Sequence, residues 1–275
     1  MTRGRLAIYL LAALLAGVLL FALVGYRNAT SQPLVRHLTL RVPGYRGGAP
    51  LRIVLFSDLH VHGPDMPPAR VDRIVDQINA LHPDLDIAAG DFVGDNWIGA
   101  RYPVQEAVAP LSRLKARLGV YAVLGNNDYD VGAADVVRAL NRAGVQVLVN
   151  RAIHVGPISL GGIDGRILHG LGAWNARRTG VFDEMSQYPG VQVLVAHRPD
   201  EFNWTPQAVA LVLAGHTHCG QIVLPLIGPL ETGSDFGQKY LCGVIRQGSK
   251  TLVVTAGVGT SHVPLRIGAP ADIWV

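Results

Sequence analysis

Leu51-Arg52-Ile53-Val54-Leu55-Phe56-Ser57-Asp58-Leu59-His60 reads as a short apolar strand running directly into Asp-x-His. The same arrangement recurs four times. Gly90-Asp91 follows Leu85–Ala89, and Gly125-Asn126-Asn127-Asp128 follows Val120–Leu124. Ala196-His197-Arg198 follows Val191–Val195, and Gly215-His216-Thr217-His218 follows Ala210–Ala214. Between the first strands the spacing turns helical. Pro68–Leu81 places Val71, Ile74, Val75 and Ile78 on one face behind an early proline. Val104–Leu118 and Ala133–Ala143 read as two further helices, the latter ended by Gly144. Val145–Val149 is a fourth strand and Ile158–Ile163 opens a second half. Leu241–Ile245, Thr251–Ala256 and Ile267–Val275 are β-rich. Wholly apolar strands between amphipathic helices predict an α/β sheet covered on both faces, with a second sheet packed on it.

Strand ends in such a sheet converge on one edge, where ligands bind. The pattern therefore predicts that Asp58, His60, Asp91, Asn126, His197, His216 and His218 meet in one site. Hard oxygen donors mixed with imidazoles suit Mn²⁺, Fe or Zn²⁺ better than Ca²⁺ or Mg²⁺ alone. Seven such side chains exceed the needs of one ion and suit two divalent ions about 3.5–4 Å apart sharing a carboxylate. Two carboxylates about 4 Å apart repel by roughly 4 kcal/mol at an effective dielectric of 20, and a cation removes that cost. Each motif alone is weak. Five in this order, each at a strand end, point to a metal pair.

These motifs resemble those of the calcineurin-like metallophosphoesterases over about residues 51–275. Leu213–Ile222 is especially similar to the bacterial membrane-associated branch, as are Ala256–Ser261 and Pro264–Arg266. The resemblance implies a four-layer αββα sandwich. It implies that Asp58, His60 and His218 hold one metal, that Asn126, His197 and His216 hold the other, and that Asp91 bridges them. It implies a water made acidic by two cations and directed at phosphorus. The chain departs from the family pattern at Asn127, where a histidine is expected. An amide is no general acid near neutral pH, but it can donate a hydrogen bond to phosphate. Loss of acid catalysis costs about 10²–10⁴ in rate, less for a good leaving group.

Asn127, Asp128 and His62 are the candidate catalytic residues. Asp128 would orient Asn127 or a water. His62, two residues past His60, either substitutes as acid or is a solvated loop histidine. Arg198 either contacts phosphate or pairs on the surface. His37, His82, His154, His169 and His262 match no metal motif and read as structural. Cys219 flanks the site without serving as a ligand. Cys219 and Cys242 read as two small half-buried residues, with a single bridge as the alternative.

Leu6–Val24 is uncharged over 19 residues, long enough to cross a hydrocarbon core of roughly 30 Å. No small-x-small cleavage site follows it, so it reads as an uncleaved anchor rather than a signal peptide. The expected organisation is an anchor over residues 1–25, a linker over 26–50 and a catalytic domain over 51–275. His37–Val42 could contribute an edge strand. Residues 1–52 hold seven arginines, no lysine and no acid, so the remainder carries −3 within a chain of net charge +4. That basic excess suits lipid headgroups and leaves a body unlike a nucleic-acid binder. A short basic start favours an extracytoplasmic catalytic domain on an inner-membrane anchor, although arginines flank the span on both sides.

The expected activity is hydrolysis of a phosphodiester or pyrophosphate, with a phosphoester or nucleotide-lipid substrate. UDP-2,3-diacylglucosamine of lipid A synthesis is the sharpest candidate that the resemblance offers, and it requires the cytoplasmic face. The alternative is a metal-binding regulatory or interaction protein without turnover, invited by Asn127. The sequence does not set an oligomeric state.

Overall fold

The computed structural model describes residues 3–94, 96–166 and 171–275. His169 lies outside them. The first sheet is built from β1 (Leu34–Arg36), β2 (Ile53–Phe56), β3 (Leu85–Ala88), β4 (Val120–Ala122), β5 (Val145–Val147) and β14 (Asp272–Trp274), in the order β1-β14-β2-β3-β4-β5. The second contains β6 (Arg151–Val155), β7 (Ile158–Ile163), β8 (Val191–Ala196), β9 (Val209–Ala214), β12 (Gly243–Gln247) and β13 (Lys250–Val254), in the order β12-β13-β9-β8-β7-β6. Strands β2–β5 run parallel to one another, as do β7, β8, β9 and β13, and the antiparallel pairs are β14 with β2, β6 with β7 and β12 with β13.

Period-two alternation explains the layering. Leu55, Ile87, Tyr121, Leu160, Val193, Val195, Leu213 and Val253 fill the space between the sheets. Val54, Phe56, Ala88 and Ala122 face the other way, onto α2 (Pro68–Ala80), α3 (Val104–Val108) and α5 (Ala133–Arg142). Leu194, Ala196, Val212, Ala214, Leu252 and Val254 back onto Val181 and Met185 of α6 (Leu171–Gln187). The result is an αββα sandwich, as the family resemblance implies. Truncating one of these side chains, such as Leu194→Ala, removes about 2–5 kcal/mol of stability.

Several elements differ from expectation. The helix predicted over Val104–Leu118 ends at Val108; Pro110 then sits in a 3₁₀ turn over Ala109–Arg113, and Leu114 is extended. Proline lacks the N–H that an α-helix interior needs, which explains the early stop. The edge strand lies at Leu34–Arg36, paired parallel with β14, rather than at His37–Val42. Strand β6 and helix α6 were not apparent from the sequence. The cysteines are joined, Cys219 to Cys242, with Cα atoms 4.9 Å apart. This corrects the unbridged reading: sequence spacing carries no information on that distance, which the fold sets.

Helix α1 (Arg3–Thr30) is long and apolar enough to cross a membrane. Its last turns dock on the sandwich. Asn28 donates to the Arg266 carbonyl at 3.1 Å, and the Arg266 N–H donates to the Gly25 carbonyl at 2.9 Å.

Candidate metal centre

Each predicted ligand leaves the C-terminal end of a strand or the turn after it, Asn126 at the start of the short helix α4 (Asn126–Val131). The turns are sharp. Asp58, His60, Asp91, His216 and His218 all have positive φ, between 42° and 72°. Such conformations cost of order 1–3 kcal/mol each in non-glycine residues and persist only where the surroundings over-determine them. Neighbouring glycines make room. A Cβ on Gly125 would collide with the Asp91 carboxylate, and one on Gly215 would lie 2.5 Å from Asp58 Oδ2.

Two trios result, Asp58–His60–His218 and Asp91–His197–His216, with the donor atoms of each trio within 4.8 Å of one another. Asp91 Oδ2 lies 3.4 Å from both His60 Nε2 and His197 Nε2, so one carboxylate oxygen stands between the trios. Asn126 Oδ1 is 3.1 Å from His197 Nε2. All seven predicted ligands are therefore brought together.

The surroundings fix their orientation. His197 Nδ1 sits 2.7 Å from the Ala89 carbonyl and donates to it, so Nε2 is the ring atom directed at Asp91 and the one that a metal would take in place of its proton. Asp58 accepts from the Ser57 hydroxyl and from the His216 N–H at 3.0 Å. Asp128, fully buried, accepts from the N–H groups of Asp91, Phe92 and Gly125 at 2.8–3.0 Å. It stands behind Asp91 rather than in the cleft. Arg266, also buried, donates to carbonyls of Ala256, Gly259 and Ala269 at 2.6–2.9 Å, and so fixes the loop beside His218.

The donor set fits cations. His60 Nε2 faces His218 Nε2 at 3.2 Å, and His197 Nε2 faces His216 Nδ1 at 3.1 Å. Convergent imidazole nitrogens at that distance need a cation or shared proton between them. The electrostatics agree. Burial opposes ionisation of Asp91, yet the imidazoles of His197, His60 and His216 hold its carboxyl at about 2. Burial also disfavours a charged His197, but Asp91 and Asp58 raise it to about 9. Burial and the charge of His197 push His216 down to about 3. Burial, then His60 and Arg266, hold His218 well below the ordinary imidazole value.

The cleft in front of these residues has a volume of about 390 Å³ and is lined by His60, Asp91, Asn126, Asn127, His216 and His218 on its metal side. A larger cavity, about 1090 Å³, opens at the opposite end of the sandwich, where Leu51, Ile158 and Val191 line it, and holds none of the seven ligands. The chemistry lies in the smaller one.

Asn127 reaches the cleft. Its side-chain oxygen accepts from Asn126 at 2.6 Å and its amide nitrogen lies 3.3 Å from His60 Nδ1. His62 does not line the cleft. It is buried rather than solvated, with Nδ1 2.5 Å from the Gly63 carbonyl. Arg198 pairs with Asp235 at 3.2 Å. His262, read as structural, lines the cleft and stacks on Trp97 with ring centroids 5.3 Å apart. The signal for it was its place one residue past the Ala256–Ser261 turn, whose Gly259 N–H donates to the Asp58 carbonyl at 2.7 Å.

Two packed sheets with a carboxylate between two imidazole-rich trios define the class, an αββα protein with two adjacent candidate metal-ligand groups. Residues 51–220 match the family described as calcineurin-like phosphoesterase, and the chain belongs to that family. It is 32% identical over 96% of its length to a "Transmembrane protein with metallophosphoesterase domain" of Danio rerio, of which the match covers 61%. It is 31% identical over 88% of its length to an uncharacterized metallophosphoesterase of Aquifex aeolicus (90% of that chain), and 32% over 82% to YkuE of Bacillus subtilis (77% of that chain). The chain thus spans about three fifths of the length of the vertebrate relative. Among solved structures, the 5'-nucleotidase precursor of Thermus thermophilus aligns with a TM-score of 0.47 and 15% identity, over 76% of this chain and 49% of that one.

Proposed function

We propose that this chain is a two-metal hydrolase of phosphodiester or pyrophosphate bonds. Asp58, His60 and His218 would hold one divalent ion, and Asn126, His197 and His216 the other, with Asp91 shared. The observation that carries this reading is the Asp91 oxygen, equidistant at 3.4 Å from an imidazole of each trio. Mixed oxygen and imidazole donors favour Mn²⁺, Fe or Zn²⁺. When bound, two such ions supply Lewis-acid stabilisation of charge on phosphoryl oxygens and make water acidic enough to serve as nucleophile at neutral pH.

The residues of the chain do the rest. Asp128 holds three backbone N–H groups and thereby the turn that presents Asp91. The Ala89 carbonyl keeps the His197 proton on Nδ1. The Asn127 amide, at the cleft wall, donates a hydrogen bond to a phosphoryl oxygen. It transfers no proton, so the reading favours substrates whose leaving group departs unprotonated, such as a nucleoside phosphate.

The apolar α1 and the name of the Danio rerio relative support a single-pass membrane protein. The Cys219–Cys242 bond supports an extracytoplasmic domain, because disulfides persist in oxidising compartments. It weighs against UDP-2,3-diacylglucosamine as substrate, which requires the cytoplasmic face.

Turnover of bis-(p-nitrophenyl) phosphate by the full chain with added Mn²⁺ tests the reading. Activity that disappears in Asp91→Ala supports a hydrolase. Two bound metals without turnover of any diester or pyrophosphate would instead establish the regulatory alternative.

A further inference from the structure

Outside α1, eight large apolar side chains are exposed among the described residues, and five of them belong to two loops at the mouth of the metal cleft. Trp97 (76% exposed) and Ile98 lie on one loop. Leu226, Ile227 (70% exposed) and Leu230 lie on the other, a hairpin of β10 (Val223–Leu224) and β11 (Gly228–Pro229). Trp97 and Leu230 line the cleft itself, while Leu226 and Ile227 stand outside it. A soluble domain gains nothing from gathering such residues around a polar site, and contiguous exposed apolar surface marks an interaction site.

Both loops connect to the same short stretch of α1, each through one intervening segment. At the base of the hairpin, the Val223 N–H donates to the Ile267 carbonyl at 2.8 Å. Leu265 and Ile267 in turn pack on Gly25, and the Arg266 N–H donates to the Gly25 carbonyl. Beside the other loop, the Gly63 N–H donates to the Ala100 carbonyl at 2.8 Å, and the next residue, Pro64, has its carbonyl 3.4 Å from the Tyr26 hydroxyl. Gly25 and Tyr26 follow directly on Val24, where the uncharged run Leu6–Val24 ends. Both rim loops are thus fastened to the point at which the apolar span stops.

We propose that this rim is a bilayer-contacting surface, with Trp97, Ile98, Leu226 and Ile227 seated in the membrane interface, and that the site cleaves the diphosphate linkage in the headgroup of a lipid in that bilayer. This rests on the two-metal reading of the site and names its substrate class. Tryptophan and aliphatic side chains favour the interface, and the anchor holds them there without a separate binding step. The metal cleft then opens at headgroup depth, where a lipid phosphate arrives by lateral diffusion.

The full chain, reconstituted in vesicles of phosphatidylglycerol and phosphatidylethanolamine, provides the test. With lipids brominated in the upper acyl chain, Leu226→Trp should show more fluorescence quenching than wild type and Trp97→Phe less. Quenching unchanged in both variants would overturn the proposal. In parallel, Leu226→Asp combined with Ile227→Asp should lower hydrolysis of CDP-diacylglycerol doped into the vesicles, whose leaving group is a nucleoside phosphate, about tenfold or more, while turnover of soluble bis-(p-nitrophenyl) phosphate with Mn²⁺ stays at the wild-type rate. Equal loss on both substrates, or on neither, would contradict a membrane role for the rim. Failure of the metal-centre reading shows separately, as absence of soluble turnover in the unmodified protein.

Discussion

The two sheets bring different chemistry to their common edge. The sheet containing β2, β3 and β4 supplies Asp58, Asp91 and Asn126 with a single imidazole, His60. The sheet containing β8 and β9 supplies three imidazoles, His197, His216 and His218, and no carboxylate. Neither half is a site alone. The acidic half would carry two buried carboxylates in mutual repulsion, and the basic half would press imidazole nitrogens together at 3.1 Å. Across the seam each compensates the other, since His197 and His60 hold Asp91 at about 2 and Asp91 lifts His197 to about 9. The apolar layer between the sheets therefore sets the spacing of the two trios as directly as the turns that carry them do.

Asp91 is the point where the halves join, so its removal should have the largest effect. Asp91→Ala is expected to lower kcat/KM by about 10³-fold or more, beyond the loss of a single well-placed transition-state donor. Metal analysis by mass spectrometry should show fewer ions per chain in the same sample.

A second contrast lies within the strands. Asp86 of β3 is fully buried, and neither of its carboxylate oxygens has a hydrogen-bond partner. Burial raises its carboxyl to about 7. The sign follows from where protons sit. Below about pH 4 folded and unfolded chains are both protonated at this group. Between there and pH 7 the unfolded chain ionises first, so stability falls as pH rises, and above 7 the penalty is constant. Asp86→Asn should abolish that slope and stabilise the protein at pH 8 by up to about 4 kcal/mol, read from denaturant midpoints at pH 5 and 8.

The basic half has a device that the acidic half lacks, the Cys219–Cys242 bond next to His218. Replacing both cysteines by serine should cost about 3 kcal/mol for a loop of this length, and metal affinity should fall with it. Reduction of the wild-type protein should reproduce the shift in melting temperature.

The smallest expected change is Asn127→His on the acidic half. Restoring an acid should raise turnover of substrates with poor leaving groups by about tenfold while leaving p-nitrophenyl esters unchanged. A gain on both would place the residue in phosphate binding instead.

Much of this site was legible in the sequence because each ligand follows an apolar strand whose end the sheet must place at one edge. The alternation that separates Leu55 from Val54 and Phe56 likewise announced the layers. Other features were not legible, for physical reasons. Pro110 stops a helix whose apolar spacing continues to Leu118, so periodicity overran the break. His262 reaches the cleft by tertiary folding of a glycine turn, and nothing in its neighbours has metal spacing. The positive φ of five predicted ligands and the disulfide are properties of the folded backbone, which no residue type announces. His62 shows the reverse error: proximity to His60 in sequence suggested a shared cleft, but His62 is buried against the Gly63 carbonyl and does not line it.

The central claim is that two cations sit at the seam between the sheets. Crystals of the full chain soaked in Mn²⁺ and measured for anomalous scattering test it most directly. The account predicts two peaks about 3.5–4 Å apart flanking the Asp91 carboxylate, one beside His60 and His218 and the other beside His197 and His216. A single peak, or peaks away from Asp91, would contradict it.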